Sequence, residues 1–252
     1  MNRLEFHKSF KATGPVVIPV IHVLDTPRTV KNIEIAIREG AAGVFLINHD
    51  FGVPEFLPII TDVRRHFPSL FLGVNFLGVS GRDAFPVLAR VEQENGTTVD
   101  AYWADNAHID EKGGDQETAN DIAAARHESG WRGLYFGGTA FKKQRPVKPE
   151  DYAAAAREAR PFMDVITTSG TATGIEADLG KIDDFREGAG DQALALASGI
   201  TPENAQSYTK VDCFMVATGI NEEGNFYDID AGRLRRLMEV TRNLGAEARD
   251  AA

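Results

Sequence analysis

The sequence lacks the features that mark secreted, disulfide-linked and membrane-embedded proteins. Its one cysteine, Cys213, cannot form a disulfide within the chain, and the apolar run around it favours a buried thiol. No apolar run approaches the roughly 20 residues that span a bilayer, and residues 1–13 carry charged side chains in place of the apolar core of a secretion signal. We therefore expect a cytoplasmic protein without membrane insertion.

Basic residues are also scarce relative to acidic ones. The 252 residues include 27 Lys and Arg against 37 Asp and Glu, which gives a formal net charge of -10. This balance argues against nucleic-acid binding, which requires neutralisation of many phosphates, but it allows a small anion held by backbone amides.

Cofactor motifs are missing too. The chain has neither a Walker loop nor a glycine fingerprint for dinucleotides, and it has no His-Glu-x-x-His motif. We predict no cofactor. A divalent metal stays open, because acidic and histidine side chains from several predicted strand ends could supply ligands: His22, Asp50, Asp105, His108 and Asp110.

Short apolar runs alternate with helical patterns along the whole chain. The predicted strands are 16–23, 43–47, 70–74, 99–103, 133–136, 163–167, 193–197 and 213–217. The predicted helices are 29–39, 56–66, 82–94, 115–129, 148–160, 178–188, 202–208 and 230–244. This alternation predicts an α/β protein with a parallel sheet, and eight units favour a single (β/α)8 TIM barrel over residues 1–252. An open, doubly wound sheet is the alternative, and we expect frayed ends at residues 1–13 and 245–252.

The last three predicted strands each end in small polar residues and glycine. The pairs are Ser169-Gly170, Ser198-Gly199 and Thr218-Gly219. Loops after the late strands of such barrels commonly bind phosphate through backbone amides, so we predict a phosphorylated ligand there. The alternative is that these are tight turns that need glycine for conformational reasons.

Other polar residues follow the earlier strands, where barrel active sites gather. Asp105 and His22 are candidates for proton transfer, with Asn106 or Lys142 assisting. Each has a structural alternative: Asp105 as a cap, His22 as a hydrogen-bonded core residue and Lys142 as part of a solvated loop. Candidate substrate contacts are Asn48 and Asp50, with His49 between them, and Trp103, which could face a flat ligand or simply fill the barrel mouth.

Four segments resemble one family closely enough to name it. They are Asn-His-Asp-Phe-Gly-Val-Pro-Glu-Phe at 48–56, Thr-Ser-Gly-Thr-Ala-Thr-Gly at 168–174, Ser-Gly-Ile-Thr-Pro-Glu-Asn at 198–204, and residues 230–233. Together with Val20-Ile21-His22 they resemble the BtpA/SgcQ family of (β/α)8 barrels, over nearly the full chain. The resemblance implies a cytoplasmic barrel whose chemistry the family does not fix: one branch is associated with photosystem I assembly, and another sits among sugar phosphotransfer genes.

The chain also departs from that family. A loop rich in proline and glycine is usual after His22, where this chain has Val-Leu-Asp-Thr-Pro, and an Arg or Asn is usual where it has Tyr102 and Trp103. Segment 198–204 is also similar to the seventh-strand loop of quinolinate phosphoribosyltransferase and thiamin phosphate synthase.

Two functional hypotheses follow. The first is an enzyme of isomerase, lyase or phosphoribosyltransferase type that acts on a phosphorylated sugar or nucleotide-like metabolite. The alternative is a noncatalytic BtpA-like assembly or stability factor with a vestigial or regulatory pocket. A homo-oligomer is compatible with either, although the sequence shows no seam.

Overall fold

A computed structural model of the chain describes residues 1–142 and 144–250. Eight parallel strands form one closed barrel in chain order, with the first strand paired to the last. The strands are β1 Val16–Val23, β2 Val44–Asn48, β3 Leu72–Asn75, β4 Ala101–Ala104, β5 Leu134–Gly138, β6 Val165–Thr168, β7 Ala193–Leu196 and β8 Cys213–Val216. The predicted (β/α)8 barrel is confirmed, and the open sheet is excluded.

The helices pack against the barrel through their buried residues. They are α1 Arg3–Ser9, α2 Thr26–Arg38, α3 Val53–His66, α4 Gly81–Asn95, α5 Glu117–Ser129, α6 Tyr152–Ala159, α7 Leu179–Ala189 and α8 Ala231–Asp250. Polar side chains fix several of their starts: Asp25, Asp178 and Asp230 each accept a hydrogen bond from the backbone three residues on.

Alternation along the strands separates the barrel interior from the layer beneath the helices. In β1, Val16, Ile18 and Val20 point inward, whereas Val17 and Ile21 pack under the helices. Phe45 and Phe136 meet inside the barrel with ring centroids 5.1 Å apart. A Cβ at Gly73 would lie 2.3 Å from the Phe45 ring, so glycine at this strand position makes room for the aromatic interior.

The chain ends differ from the frayed extensions that the sequence suggested. Residues 3–9 form α1. Its buried Phe6 packs edge-on against Phe136, with ring centroids 6.4 Å apart, and closes the amino-terminal end of the barrel. Asn2 and Glu5 form a reciprocal capping box, a signal that could have revealed this helix. At the other end α8 continues to Asp250, and residues 251 and 252 lie outside the described part of the chain.

Two predicted helices were wrong in extent. Segment 202–208 holds only a 3-10 turn, Ala205–Ser207. Asn204 explains this difference, because its side chain accepts from the Thr201 backbone and donates to the Gly199 carbonyl, and such local bonds compete with a helix. Segment 148–160 is divided into a 3-10 turn, Pro149–Asp151, and α6.

One arrangement recurs three times at the amino-terminal face of the barrel. In each case an aspartate lies just before strand β4, β6 or β8. Its carboxylate accepts a hydrogen bond from a backbone N–H near the start of the preceding strand. An arginine of α3, α5 or α7 binds the same carboxylate. The arginine–aspartate pairs are Arg64–Asp100 at 2.6 Å, Arg126–Asp164 at 2.5 Å and Arg186–Asp212 at 2.7 Å. The backbone donors are Leu72, Tyr135 and Leu194, at 2.8–2.9 Å. Because this face lies opposite the strand ends where barrel sites gather, we assign these pairs to stability.

Candidate functional site

A cavity of about 310 Å³ opens at the carboxyl ends of the strands. Eight of the residues proposed from the sequence line it: His22, Trp103, Asp105, Lys142, Ser198, Gly199, Thr218 and Gly219. His49, Leu77, Thr173, Gly174 and Phe226 complete much of the wall. The remaining five proposed residues, Asn48, Asp50, Asn106, Ser169 and Gly170, lie elsewhere.

His22 ends the inward row of β1 and is 7% exposed. Its ring stacks on Phe226, with centroids 3.7 Å apart and 24° between the planes, and it lies 4.9 Å from the His49 ring. Burial lowers the pKa of His22 to about 4, and the charges of His49 and Lys142 lower it further, against a raising effect of the hydrogen bond to Phe226. The ring is therefore neutral at physiological pH.

The Asn-His-Asp triplet begins with the last residue of β2, and its three side chains have different environments. His49 faces the cavity. Asn48 is buried and structural, because its side chain donates to the Phe51 carbonyl at 2.6 Å and accepts the Leu77 N–H at 3.1 Å. Asp50 is exposed and accepts a hydrogen bond from the Tyr227 hydroxyl at 3.1 Å. Since side chains alternate along a strand, His22 on β1 and His49 beyond β2 reach the same interior.

Asp105 enters the cavity from the end of β4. The buried Asn75 side chain donates to its Oδ1 at 3.1 Å and orients the carboxylate. Asn106, by contrast, accepts the His108 N–H at 2.8 Å and lines a separate depression with that histidine. Asn106 therefore does not line the cavity that contains Asp105 and His22, the residues that we expected it to assist.

Lys142 reaches the cavity from the loop after β5. Its Nζ donates to the Ala197 carbonyl at 3.2 Å and lies 5.5 Å from the centre of the Phe141 ring. Its backbone N–H donates to Ser169 Oγ at 2.7 Å. Ser169 is fully buried and also donates to the Gly170 carbonyl, so it supports the loop that presents Lys142 and does not line the cavity.

Trp103 forms part of the cavity floor and is 4% exposed. Its ring meets Phe45 and Phe141 edge-on, with centroids 6.0 and 5.9 Å away. Its indole N–H has no hydrogen-bond partner within the described residues. Such burial favours the filling role that the sequence left open, with only a small part of the ring available to a ligand.

The glycines of the last three loops hold those loops against one another. A Cβ at Gly170 would lie 2.4 Å from the Ile175 carbonyl oxygen, and one at Gly199 would lie 2.3 Å from the Glu176 nitrogen. A Cβ at Gly219 would lie 1.9 Å from the Ile200 carbonyl oxygen. Gly199 also has φ +65°, in the region that favours glycine. Close packing therefore explains why glycine is needed at all three positions.

The same loops nevertheless present unused backbone donors. The N–H groups of Gly199, Ile200, Thr218 and Gly219 donate to no acceptor within the part of the chain that the structure describes. All four residues line the cavity. The Ser198 hydroxyl, by contrast, is committed to the Ala172 and Ile175 carbonyls, at 2.9 and 2.7 Å. The anion-binding capacity of this region thus lies in its backbone and not in the Ser198 side chain.

Sequence reasoning missed Lys181, a buried lysine on α7. Its Nζ donates to the Ala140 and Ser169 carbonyls, both at 2.7 Å. Burial lowers the pKa of Lys181 to about 8. Its position outside the cavity makes it a support for the loops after β5 and β6, and its helical placement gave no sequence signal.

Within residues 1–142 and 144–250, no three histidine, cysteine, aspartate or glutamate side chains come together as a metal-ligand set. His22, Asp50, Asp105, His108 and Asp110 therefore do not form the shared centre that the sequence left open. No described helix is long and apolar enough to cross a membrane.

Comparison with known proteins supports the architecture. No protein-family model matches the sequence, and no curated protein matches it either. Among solved structures, the chain is similar to (S)-3-O-geranylgeranylglyceryl phosphate synthase from Thermoplasma acidophilum, with 12% identity, a TM-score of 0.65 and coverage of 96% of this chain and 99% of that one. It is also similar to the tryptophan synthase alpha chain from Legionella pneumophila, with 15% identity, a TM-score of 0.64 and coverage of 98% and 99%.

A third similar structure is 3-keto-L-gulonate-6-phosphate decarboxylase from Vibrio cholerae, with 15% identity, a TM-score of 0.59 and coverage of 92% and 99%. At these identities the likeness establishes the fold alone: the chain is a TIM barrel.

Proposed function

We propose that the protein is an enzyme that acts on a phosphorylated sugar or nucleotide-like metabolite bound in the barrel mouth. The observation behind this proposal is that one cavity combines unused backbone donors with ionisable side chains. The donors come from the loops after β7 and β8, while Asp105, His22 and Lys142 come from β4, β1 and the loop after β5.

The phosphate group would bind the N–H groups of the last two loops. Gly199 and Ile200 follow β7, and Thr218 and Gly219 follow β8, which are the loops that bind phosphate in many barrels. Backbone N–H groups recognise an anion without a lysine or arginine, so the net charge of -10 is no obstacle. Gly170 and Ser169, also proposed from the sequence, would contribute by supporting the neighbouring loop.

The size of the cavity sets a limit on the ligand. About 310 Å³ lies at the lower end of the range for small-molecule sites. A sugar phosphate fits this volume better than a dinucleotide does.

The similar solved structures support the same ligand class. The geranylgeranylglyceryl phosphate synthase was solved with its substrate sn-glycerol-1-phosphate, and the decarboxylase is named for a 6-phosphate substrate. Both share the barrel fold with this chain.

Asp105 would exchange a proton with the substrate. Its Oδ1 is held by Asn75, which keeps the carboxylate in one orientation towards the cavity. Lys142 would stabilise negative charge that develops on the substrate. Isomerase, lyase and phosphoribosyl-transfer chemistry are all compatible with these groups.

The alternative, suggested by the resemblance to the BtpA/SgcQ family, is a noncatalytic assembly or stability factor with a regulatory pocket. Such a protein would bind the ligand without converting it. The two functions therefore differ in turnover, and not in the presence of the site.

A ligand screen followed by one variant tests the proposal. Sugar phosphates, nucleotides, phosphoribosyl pyrophosphate and free phosphate would be tested by thermal shift, with and without divalent metal, because a ligand that binds the folded state raises its melting temperature. Any ligand that the wild-type protein converts to product would then be assayed with Asp105→Asn. The amide oxygen of this variant can still accept the hydrogen bond from Asn75. Binding with turnover that is lost in Asp105→Asn supports the enzyme. Binding without turnover in the wild type supports an assembly factor with a regulatory pocket, and no binding contradicts the enzyme and favours an assembly factor with a vestigial pocket.

A further inference from the structure

The hydrogen bond between His22 and Phe226 fixes the protonation pattern of the imidazole. His22 Nδ1 lies 3.0 Å from the Phe226 carbonyl oxygen. A carbonyl oxygen only accepts hydrogen bonds, so Nδ1 must bear the proton. In a neutral ring the other nitrogen, Nε2, then has a free lone pair and is an acceptor.

The ring stays neutral near pH 7 because it is buried between Phe226 and the barrel. Burial lowers the pKa of His22 to about 4, and the nearby charges act in the same direction. Nε2 accepts no hydrogen bond from the described residues, whereas Nδ1 is engaged. An acceptor is thus left for whatever enters the cavity.

A strap formed by residues 221–229 holds the Phe226 carbonyl in place. Asn221 Nδ2 donates to that same oxygen at 2.9 Å. The Asn32 side chain on α2 binds the strap on both sides of Asp228. It donates a hydrogen bond to the Tyr227 carbonyl at 2.7 Å and accepts one from the Ile229 N–H at 3.0 Å. The strap therefore cannot move its carbonyl away from His22 without breaking several hydrogen bonds.

An ion pair connects this strap to helix α2. Arg28 at the start of α2 binds Asp228 through two hydrogen bonds, at 2.8 and 2.5 Å. Bidentate pairs of this kind fix orientation as well as distance. The arrangement therefore fixes His22 in the tautomer with a proton on Nδ1. The cavity then favours a ligand group that donates a hydrogen bond to Nε2 over one that only accepts.

We infer that His22 Nε2 accepts a hydrogen bond from a hydroxyl group of the substrate, and that the substrate is therefore a phosphorylated polyol or sugar with a hydroxyl at that position. This inference rests on the proposed function and names its substrate class more narrowly. A carbonyl or ether oxygen at the same place would face a lone pair and would be rejected. His22 is then a specificity-determining residue.

The tautomer is tested first, without any ligand. In protein labelled with ¹⁵N at histidine, the ring nitrogens of His22 are assigned by comparison with His22→Phe. The structure predicts that near pH 7 Nδ1 bears hydrogen and Nε2 resonates as an unprotonated nitrogen. A proton on Nε2 overturns the inference, because that nitrogen would then be a donor.

Hydroxyl recognition is tested with a matched pair of ligands, glycerol 3-phosphate and propyl phosphate, which differ only in hydroxyl groups. One neutral hydrogen bond predicts that the wild type binds glycerol 3-phosphate about five- to tenfold more tightly. The His22→Phe variant keeps an aromatic ring against Phe226 but loses the acceptor, so its two affinities should agree to within about twofold. Equal affinities in the wild type, or an unchanged preference in the variant, overturn the inference.

A third titration separates failure of the inference from failure of the proposed function. If neither phosphate ester and no compound of the phosphate screen binds, the proposed function fails, and glycerol alone is titrated into the labelled protein. A saturable shift of the Nε2 resonance then supports hydroxyl recognition without phosphate. No shift overturns the inference as well.

Discussion

The imidazole of His22 and the phenyl ring of Phe226 stack at a centroid distance of 3.7 Å, and the backbone carbonyl of the same phenylalanine accepts a hydrogen bond from the Nδ1–H of His22. The two contacts come from distant parts of the chain, the end of β1 and the loop after β8. Together they make a buried, neutral histidine with one free nitrogen in the wall of the cavity. The first two predictions concern this relationship.

The buried His22 should make stability depend on pH. Its pKa is about 4 in the folded protein, against an ordinary value of 6.5, so between these values the unfolded chain binds more protons. The unfolding free energy should therefore fall as the pH drops from about 6.5 towards 4, by at most about 3 kcal/mol from this residue. Urea unfolding at several pH values would measure it, and His22→Phe should lack this part of the dependence. Parallel curves for the two proteins would contradict the burial of a neutral ring.

Releasing the strap should raise the pKa of His22. The Arg28 guanidinium lowers the pKa of Asp228 to about 2, which shows how strongly this pair is coupled. In Asp228→Ala the strap loses its bidentate anchor, water gains access to the ring, and the pKa of His22 should move up towards 6.5, as followed by NMR titration. Asp62→Ala, which removes an exposed pair with Arg65 on α3, is the matched control and should leave that pKa unchanged. A pKa that stays near 4 in Asp228→Ala would show that the strap does not depend on this pair.

Asp212 should matter for folding and not for the ligand. Its side chain is fully buried and binds Arg3, His7 and Arg186 at 2.8, 3.0 and 2.7 Å. Removing one partner of a buried pair costs about 3–5 kcal/mol, so Asp212→Asn should lower the unfolding free energy by that order. Glu150→Gln, which breaks the exposed pair with Lys148, should change it by less than about 1 kcal/mol. Ligand affinity of folded Asp212→Asn should match the wild type, since the residue precedes β8 at the opposite end of the barrel.

Gly199 should be less replaceable than other glycines with the same backbone conformation. Gly199 and Gly96 both have φ +65°, but a Cβ at Gly96 would meet nothing within 4 Å, whereas one at Gly199 would strike the backbone of Glu176. Gly96→Ala should cost only about 1 kcal/mol, the strain of a left-handed alanine. Gly199→Ala should cost more in thermal unfolding and should also weaken phosphate binding, because the loops after β6 and β7 must separate. Equal losses of stability in Gly96→Ala and Gly199→Ala would contradict this prediction, because the loops after β6 and β7 would then separate at little free-energy cost.

The sequence was a good guide to the barrel and a weaker one to its mouth. The run 16–23 matches β1 residue for residue, because a parallel strand covered on both faces is a predominantly apolar run, and all eight residues of β1 are buried. Eight proposed residues line the cavity because strand ends converge in a closed barrel. Local pattern could not show which way side chains turn after a strand, so Asn48 and Asp50 were proposed together although the cavity-facing residue is His49.

Contacts between distant segments lay beyond the sequence altogether. Phe226 belongs to a loop with no apolar periodicity, and only the folded strap places it against His22. The glycines after β6, β7 and β8 suggested phosphate binding, but the structure shows that packing between the loops also requires them. The unused N–H groups, which carry the phosphate proposal, are visible only once every other backbone partner is known.

The most direct test of the phosphate site is an amide NMR titration of ¹⁵N-labelled protein with inorganic phosphate and then with glycerol 3-phosphate. The structure predicts saturable shifts that are largest for the amides of Gly199, Ile200, Thr218 and Gly219, with the same apparent affinity at each. Shifts that do not saturate, or that centre on other parts of the surface while these four amides stay still, would contradict a phosphate site in the barrel mouth.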